Sequence, residues 1–225
     1  MIVGGVKNEH GDLIMKIKLY DDTIFNFIIP NVKKIGIFMS GGIDSATLLS
    51  AIITEIGNRD IPICAYTTFK HTREQDYTPR ILKLINSHFN SNVQHVNNLP
   101  NAKEFLDRGI ADPQNMLNVY NEHNGNILIY TANNNQALET VGKFRYDLGM
   151  KYTAQPNICS PFLDMKKPQI IDIMYKLKVD FLLPYTHTCA KIPVGNCNNC
   201  YSCEERAWAF SVLGKNNPET ILLED

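Results

Sequence analysis

Lys34-Ile35-Gly36-Ile37-Phe38-Met39-Ser40-Gly41-Gly42-Ile43-Asp44-Ser45 is a short apolar run ending in a paired-glycine turn. The period then changes. Ala46, Leu48, Leu49, Ile52 and Ile53 recur as one face of a helix, and Gly57-Asn58 stops it. A strand, a glycine loop and a helix in that order bring backbone N–H groups and the positive end of a helix dipole to one place, which suits a phosphate chain. Paired glycines allow unusual dihedrals and close approach of a ligand. Ser40 and Ser45 add hydroxyl donors, and Asp44 can hold a loop amide or a magnesium ion. The Gly-Lys-Ser/Thr ending of a Walker loop is absent, as is the Gly-x-Gly-x-x-Gly spacing of a dinucleotide site. A plain tight turn is the competing reading, and six specified positions in this context argue against it.

Working outward, apolar runs alternate with helical patterns. Residues 61–69 read as a second buried strand, 80–90 as a helix, and 93–96 as a third short strand. Ile127-Leu128-Ile129-Tyr130 is another apolar run, after the turn signal Asn124-Gly125-Asn126. Residues 168–178 read as an amphipathic helix with Pro168 in its first turn, and 204–213 as a closing helix. This alternation predicts an α/β fold with a doubly wound, mostly parallel sheet. Ahead of it, residues 14–19 and 24–29 flank Asp21-Asp22 and read as a small β-hairpin. The expected organisation is a hairpin extension over 1–30, an α/β domain carrying the glycine loop over 31–185, and a cysteine-rich segment with its closing helix over 186–225.

The 225 residues suit one α/β domain with a small appended module, and 44% hydrophobic with 20% charged residues is an ordinary globular balance. A formal charge of -1 and a pI near 6.6 give no support to non-specific nucleic-acid binding. No apolar stretch is long enough to span a bilayer, and no basic flank with an apolar run marks a signal peptide. A cytoplasmic location is expected.

Four of the six cysteines crowd together: Cys189, Cys197, Cys200 and Cys203, spaced C-x7-C-x2-C-x2-C. In a reduced compartment this pattern favours a metal over disulfides. Four thiolates complete a tetrahedral zinc with no open position, which makes the ion structural. Gly195 and Asn196 are turn residues that let the chain wrap it. An iron–sulfur cluster and unligated core cysteines are the alternatives. Cys64 lies in an expected strand and reads as core, whereas Cys159, before Ser160-Pro161-Phe162, reads as core or as facing the site.

Ser40, Gly41, Gly42, Asp44 and Ser45 resemble the SGGxDS signature of the pyrophosphatase-type (PP-loop) ATP enzymes. Together with the four cysteines, Arg206 and Ala209-Phe210, they make the chain similar to the 7-cyano-7-deazaguanine synthase (QueC-like) branch. Pro161-Phe162, Lys167 and Ile170 match that branch's stretch before a helix. The resemblance implies an adenine nucleotide α-hydrolase-like fold, ATP cleaved between its α and β phosphates, Mg2+, a zinc ion on the four cysteines, and a homodimer. It implies a nucleotide site over Phe38, Met39, Ser40, Gly41, Gly42, Ile43, Asp44 and Ser45, with catalytic roles for Asp44, Ser45 and Lys167. Lys167 is expected either to meet developing phosphate charge or to be a solvated helix-start lysine. The implied reaction converts 7-carboxy-7-deazaguanine and ammonia into the nitrile through an adenylate.

The middle of the chain departs from that branch. Phe69-Lys70-His71-Thr72-Arg73 stands where members carry Gly-Gln-Arg-His, no Tyr-Pro-Asp-Cys-Arg stretch occurs, and Gln169 replaces a usual Glu. Thr131-Ala132-Asn133-Asn134-Asn135-Gln136 can hydrogen-bond a heterocycle or cap a helix. Two other readings therefore stand beside the nitrile synthase. One is a divergent relative adenylating a modified nucleobase, a tRNA base or a protein terminus. The other is a non-catalytic nucleotide-binding module.

Overall fold

Two burial patterns separate the strands. β2 (Leu13–Lys18) and β3 (Ile24–Ile29) alternate buried with more exposed residues, whereas β4 (Ile35–Phe38), β5 (Ile63–Thr67) and β7 (Leu128–Tyr130) are buried throughout. A sheet with one wet face shows the first pattern, and a sheet covered on both faces shows the second. The computed structural model describes residues 2–67, 77–97, 113–132, 158–189, 191–192 and 194–221. The Phe69–Arg73 stretch and residues 133–136 lie outside the described residues.

β4, β5, β7 and two shorter strands, β6 (Gln94–Asn97) and β8 (Ile158–Cys159), form a five-stranded sheet of order β6-β5-β4-β7-β8, parallel at every pairing. Strand order reverses beside β4, because β5 and β6 continue on one side and β7 and β8 on the other. In open α/β sheets, ligands bind beyond the strand carboxyl ends at such a switch point. The glycine loop leaves β4 there.

Helix α1 (Ile43–Ile56) follows the loop and ends at Gly57, whose φ is 58° and whose N–H donates to Ile53 O. Helix α2 (Tyr77–Phe89) begins three residues earlier than the expected residue 80, since Pro79 in its first turn needs no intrahelical donor there. Helix α4 (Lys167–Leu177) closes on Lys178 in the left-handed region, φ 59°. α1, α2 and α4 share a core with Ile35, Ile37, Ala65, Leu128 and Tyr130. Helix α3 (Pro113–Glu122), absent from the sequence reading, places Met116 and Val119 on the opposite face with Phe38, Cys64, Tyr66 and Ile129. The sheet is thus covered on both sides. A 3-10 helix (Asp180–Tyr185) and helix α5 (Tyr201–Val212) complete the described elements. Among the described residues no helix is long and apolar enough to cross a membrane.

The expected hairpin is present as β2 and β3, and β1 (Ile2–Lys7) adds a third antiparallel strand. Its buried side chains Met15, Ile17, Phe25 and Phe27 belong to the main core. Phe25 packs on Phe162 with centroids 5.6 Å apart, and Tyr130 Oη donates to Ile28 O at 3.2 Å. Tyr20 N–H donates to Asp172 on α4 at 2.8 Å. Gln169 also ties the two units. Its Oε1 accepts from Lys166 N–H at 2.7 Å, closing the start of α4, while its Nε2 donates to Asp21 at 2.9 Å.

Candidate functional site

The glycine loop is shaped by its own backbone. Gly41 has φ 72°, and a Cβ there would sit 2.9 Å from the Cβ of Tyr77. Both facts require glycine. Gly42 is the N-cap of α1, with φ -91° and ψ 169°. Ser45 is buried, and its hydroxyl accepts from Ser40 N–H at 3.3 Å and donates to Gly42 O at 3.1 Å. It braces the loop from inside, whereas Ser40 is exposed. The side chains of Phe38, Met39 and Ile43 lie in the two cores, so only their backbones face the loop.

Lys167 is 5% exposed at the first turn of α4 and is not a solvated lysine. Its Nζ donates to both oxygens of Asp44 at 2.6 Å. Glu205 Oε2 on α5 lies 3.8 Å from the same nitrogen. The structure thus joins the candidates Asp44 and Lys167 directly, and adds a carboxylate that the sequence reading did not single out.

Cys189, Cys197, Cys200 and Cys203 converge, with all four Sγ atoms within 4.8 Å of one another. Zinc–thiolate bonds of about 2.3 Å place tetrahedral sulfurs roughly 3.8 Å apart. Cys189 Sγ and Cys200 Sγ lie 3.9 Å apart. A four-iron cluster interposes a cube of iron and sulfide and holds its thiolates farther apart than one ion does. The donor set fits a single thiophilic ion. Burial pushes the Cys189 thiol up, but the N–H groups of Ile192, Cys197 and Lys191 outweigh it and bring the thiol below its ordinary value. Two of these contacts, from Lys191 N–H and Ile192 N–H, measure 3.4 Å. Burial and the neighbouring Cys200 and Cys189 push Cys203 up to about 12.

One helix joins the cysteines to the loop. α5 carries Cys203, then Glu205 toward Lys167, then the fully buried Arg206. The Arg206 guanidinium donates to Asn217 Oδ1, to the carbonyls of Thr186, Leu183 and Pro218, and to the hydroxyls of Thr186 and Thr188, at 2.9 to 3.2 Å. Burial lowers it to about 10, so it stays charged at neutral pH. The segment it holds reaches back to the loop: His187 N–H donates to Gly41 O at 2.9 Å, and the His187 ring stacks on Tyr77 at 4.8 Å. Glu205 and His187 flank cysteines in the sequence, but their partners are distant in the chain, so no local pattern marks them.

Cys64 is buried in the α3-side core. Cys159 ends β8, where its carbonyl accepts from Thr131 N–H at 2.9 Å, and burial pushes its thiol up. It packs half-buried against the main core.

The fold, a parallel sheet with the glycine loop at its switch point, is of the PP-loop, adenine nucleotide α-hydrolase-like type. The chain's C-terminal part is QueC-like: residues 123–214 match the family model described as queuosine biosynthesis protein QueC. No curated protein matches the sequence. Among solved structures, NMN synthetase from Francisella tularensis is similar, with a TM-score of 0.50 at 15% identity over 83% of this chain and 79% of that one. At that identity the likeness concerns the fold. An NH3-dependent NAD synthetase from Campylobacter jejuni has a TM-score of 0.42 at 14% identity, over 68% of this chain and 69% of that one. The U34-tRNA thiolase NcsA from Methanococcus maripaludis has 0.43 at 13%, over 81% and 64%.

Proposed function

We propose that this chain is an ATP-dependent nitrile synthase that converts 7-carboxy-7-deazaguanine and ammonia into 7-cyano-7-deazaguanine. The observation that carries the reading is the coupling of two features in one fold. A glycine loop opens at the switch point, and a four-thiol cluster in the QueC-like segment is tied to it through α5 and His187.

A carboxylate is a poor electrophile because its oxygen is a poor leaving group. Attack of that oxygen on the α-phosphorus of ATP expels pyrophosphate and forms an acyl-adenylate. Ammonia then displaces AMP to give the amide. A second adenylation, on the amide oxygen, lets AMP depart as the nitrile forms. The protein's share is positioning and charge stabilisation. The loop amides from Ser40 to Ser45 and the N-terminus of α1 would receive the pyrophosphate, with the exposed Ser40 hydroxyl as a further donor. Asp44 would address Mg2+, which neutralises phosphate charge when bound, and Lys167 fixes the orientation of Asp44. Zinc held by the four cysteines would be structural, since four thiolates leave no ligand position open. A homodimer and a reduced, cytoplasmic setting complete the reading.

Incubation with 7-carboxy-7-deazaguanine, Mg–ATP and ammonium tests it. The expected products are the nitrile, AMP and pyrophosphate, identified by mass spectrometry. A chain that releases no AMP under these conditions would refute it. AMP release with another carboxylate or amide substrate, and none with this one, would favour the divergent adenylating relative, a reading that the unmatched middle of the chain keeps open.

A further inference from the structure

Lys167 faces two carboxylates from two different helices. Asp44 belongs to the glycine loop, and Glu205 belongs to the helix that carries Cys203. Lys167 and Glu205 are each 5% exposed, so water does little to screen them, whereas the Asp44 side chain is 22% exposed. Distances rank the pair: 2.6 Å to Asp44 and 3.8 Å to Glu205. Buried charges of this kind are retained where they fix geometry, because leaving one unpaired in a dry site is costly.

A cation needed only by Asp44 would require no second counter-charge. A second carboxylate matters when the first is drawn elsewhere. If Asp44 turns toward a magnesium–nucleotide complex, its hold on Lys167 weakens, and the buried ammonium keeps a partner in Glu205. We propose that Glu205 is a positioning residue for nucleotide binding. It anchors Lys167 so that Asp44 can be presented to the metal–phosphate group while the ammonium stays in place. The inference rests on the ATP reading above, and it deepens that reading by joining the cysteine-bearing helix to the loop. Glu205 touches no reacting atom and acts through Lys167.

The test is a double-mutant cycle on Mg–ATP affinity, measured by isothermal titration calorimetry up to millimolar nucleotide. The variants are Glu205→Gln, Lys167→Gln and the double substitution in the full chain. Circular dichroism and zinc content report that each remains folded. Glu205→Gln is expected to weaken Mg–ATP binding about tenfold, and to add less than about twofold in the Lys167→Gln background, because the path through Lys167 is already gone. A residue that merely supports the fold would give additive losses. Glu205→Asp keeps the charge and serves as the second variant should Gln fail to fold. It is expected to retain more affinity than Gln, and its loss is also expected to vanish in the Lys167→Gln background. Additive losses, or unchanged affinity in Glu205→Gln, overturn the role of Glu205 while leaving the ATP reading intact. Failure of the unsubstituted protein to bind Mg–ATP overturns the ATP reading, and the role of Glu205 falls with it.

Discussion

Gly41 shows how one position can be decided twice. Its positive φ disfavours any side chain, and the space a Cβ would fill already holds Tyr77. Gly41→Ala is expected to cost about 1–3 kcal/mol of stability through backbone strain, and to abolish measurable Mg–ATP binding by reshaping the loop. Thermal denaturation and calorimetry on one sample check both parts. Arg206 is the opposite case, a buried charge held by neutral acceptors. Arg206→Met would leave the carbonyls of Leu183 and Pro218 without these donors, and the expected loss is about 3–5 kcal/mol in denaturant unfolding. At this scale the sequence was informative where chemistry is local. Ser40 to Ser45 and the four cysteines are near neighbours in the chain, so spacing exposes them. The Lys167–Asp44–Glu205 cluster draws on three separate elements, and nothing in the spacing of those residues brings them together.

Elements were legible in proportion to their patterning. The continuous apolar runs at β4, β5 and β7 and the alternation of β2 and β3 stand out because burial on two faces or one imposes them. α3 did not, since PQNMLNVYNE scatters its apolar residues among amides. β8 has only two residues, and its strand character comes from pairing with β7. α4 carries a pH-dependent element contact. Burial pushes the Asp172 carboxyl above its ordinary value, with Asp21 adding to this, while Lys176 and the Tyr20 N–H pull it back. The folded chain therefore holds this proton more tightly than the unfolded chain. The contribution favours folding at low pH and declines as pH rises from 3.8 through the raised value. Asp172→Asn, which can still accept the Tyr20 N–H, removes that decline. Its stability relative to the unsubstituted protein is expected to rise from acid toward neutral pH in urea titrations, and a constant difference would contradict the assignment.

For the whole molecule, alternation of strands and helices predicted a doubly wound sheet, but the strand order follows from pairings that no single segment encodes. That order puts the glycine loop at the switch point and lets α5 reach it from the cysteine cluster. The cluster needs a cation if its thiolates are to stand together, because burial first, and then the neighbouring cysteines, raise Cys203. One zinc per chain is expected by elemental analysis. Its removal with a strong chelator should lower the melting temperature by roughly 10 °C and weaken Mg–ATP binding, since His187 and Glu205 lose their support. Retention of both properties after complete zinc removal would separate the two sites.

The central claim is adenylation of a carboxylate. It is tested most directly by following the substrate's own oxygens, with 7-carboxy-7-deazaguanine labelled by heavy oxygen in the carboxylate. The account predicts that each AMP released carries one labelled oxygen, that pyrophosphate carries none, and that the nitrile retains none. Unlabelled AMP, or label in pyrophosphate, would contradict it.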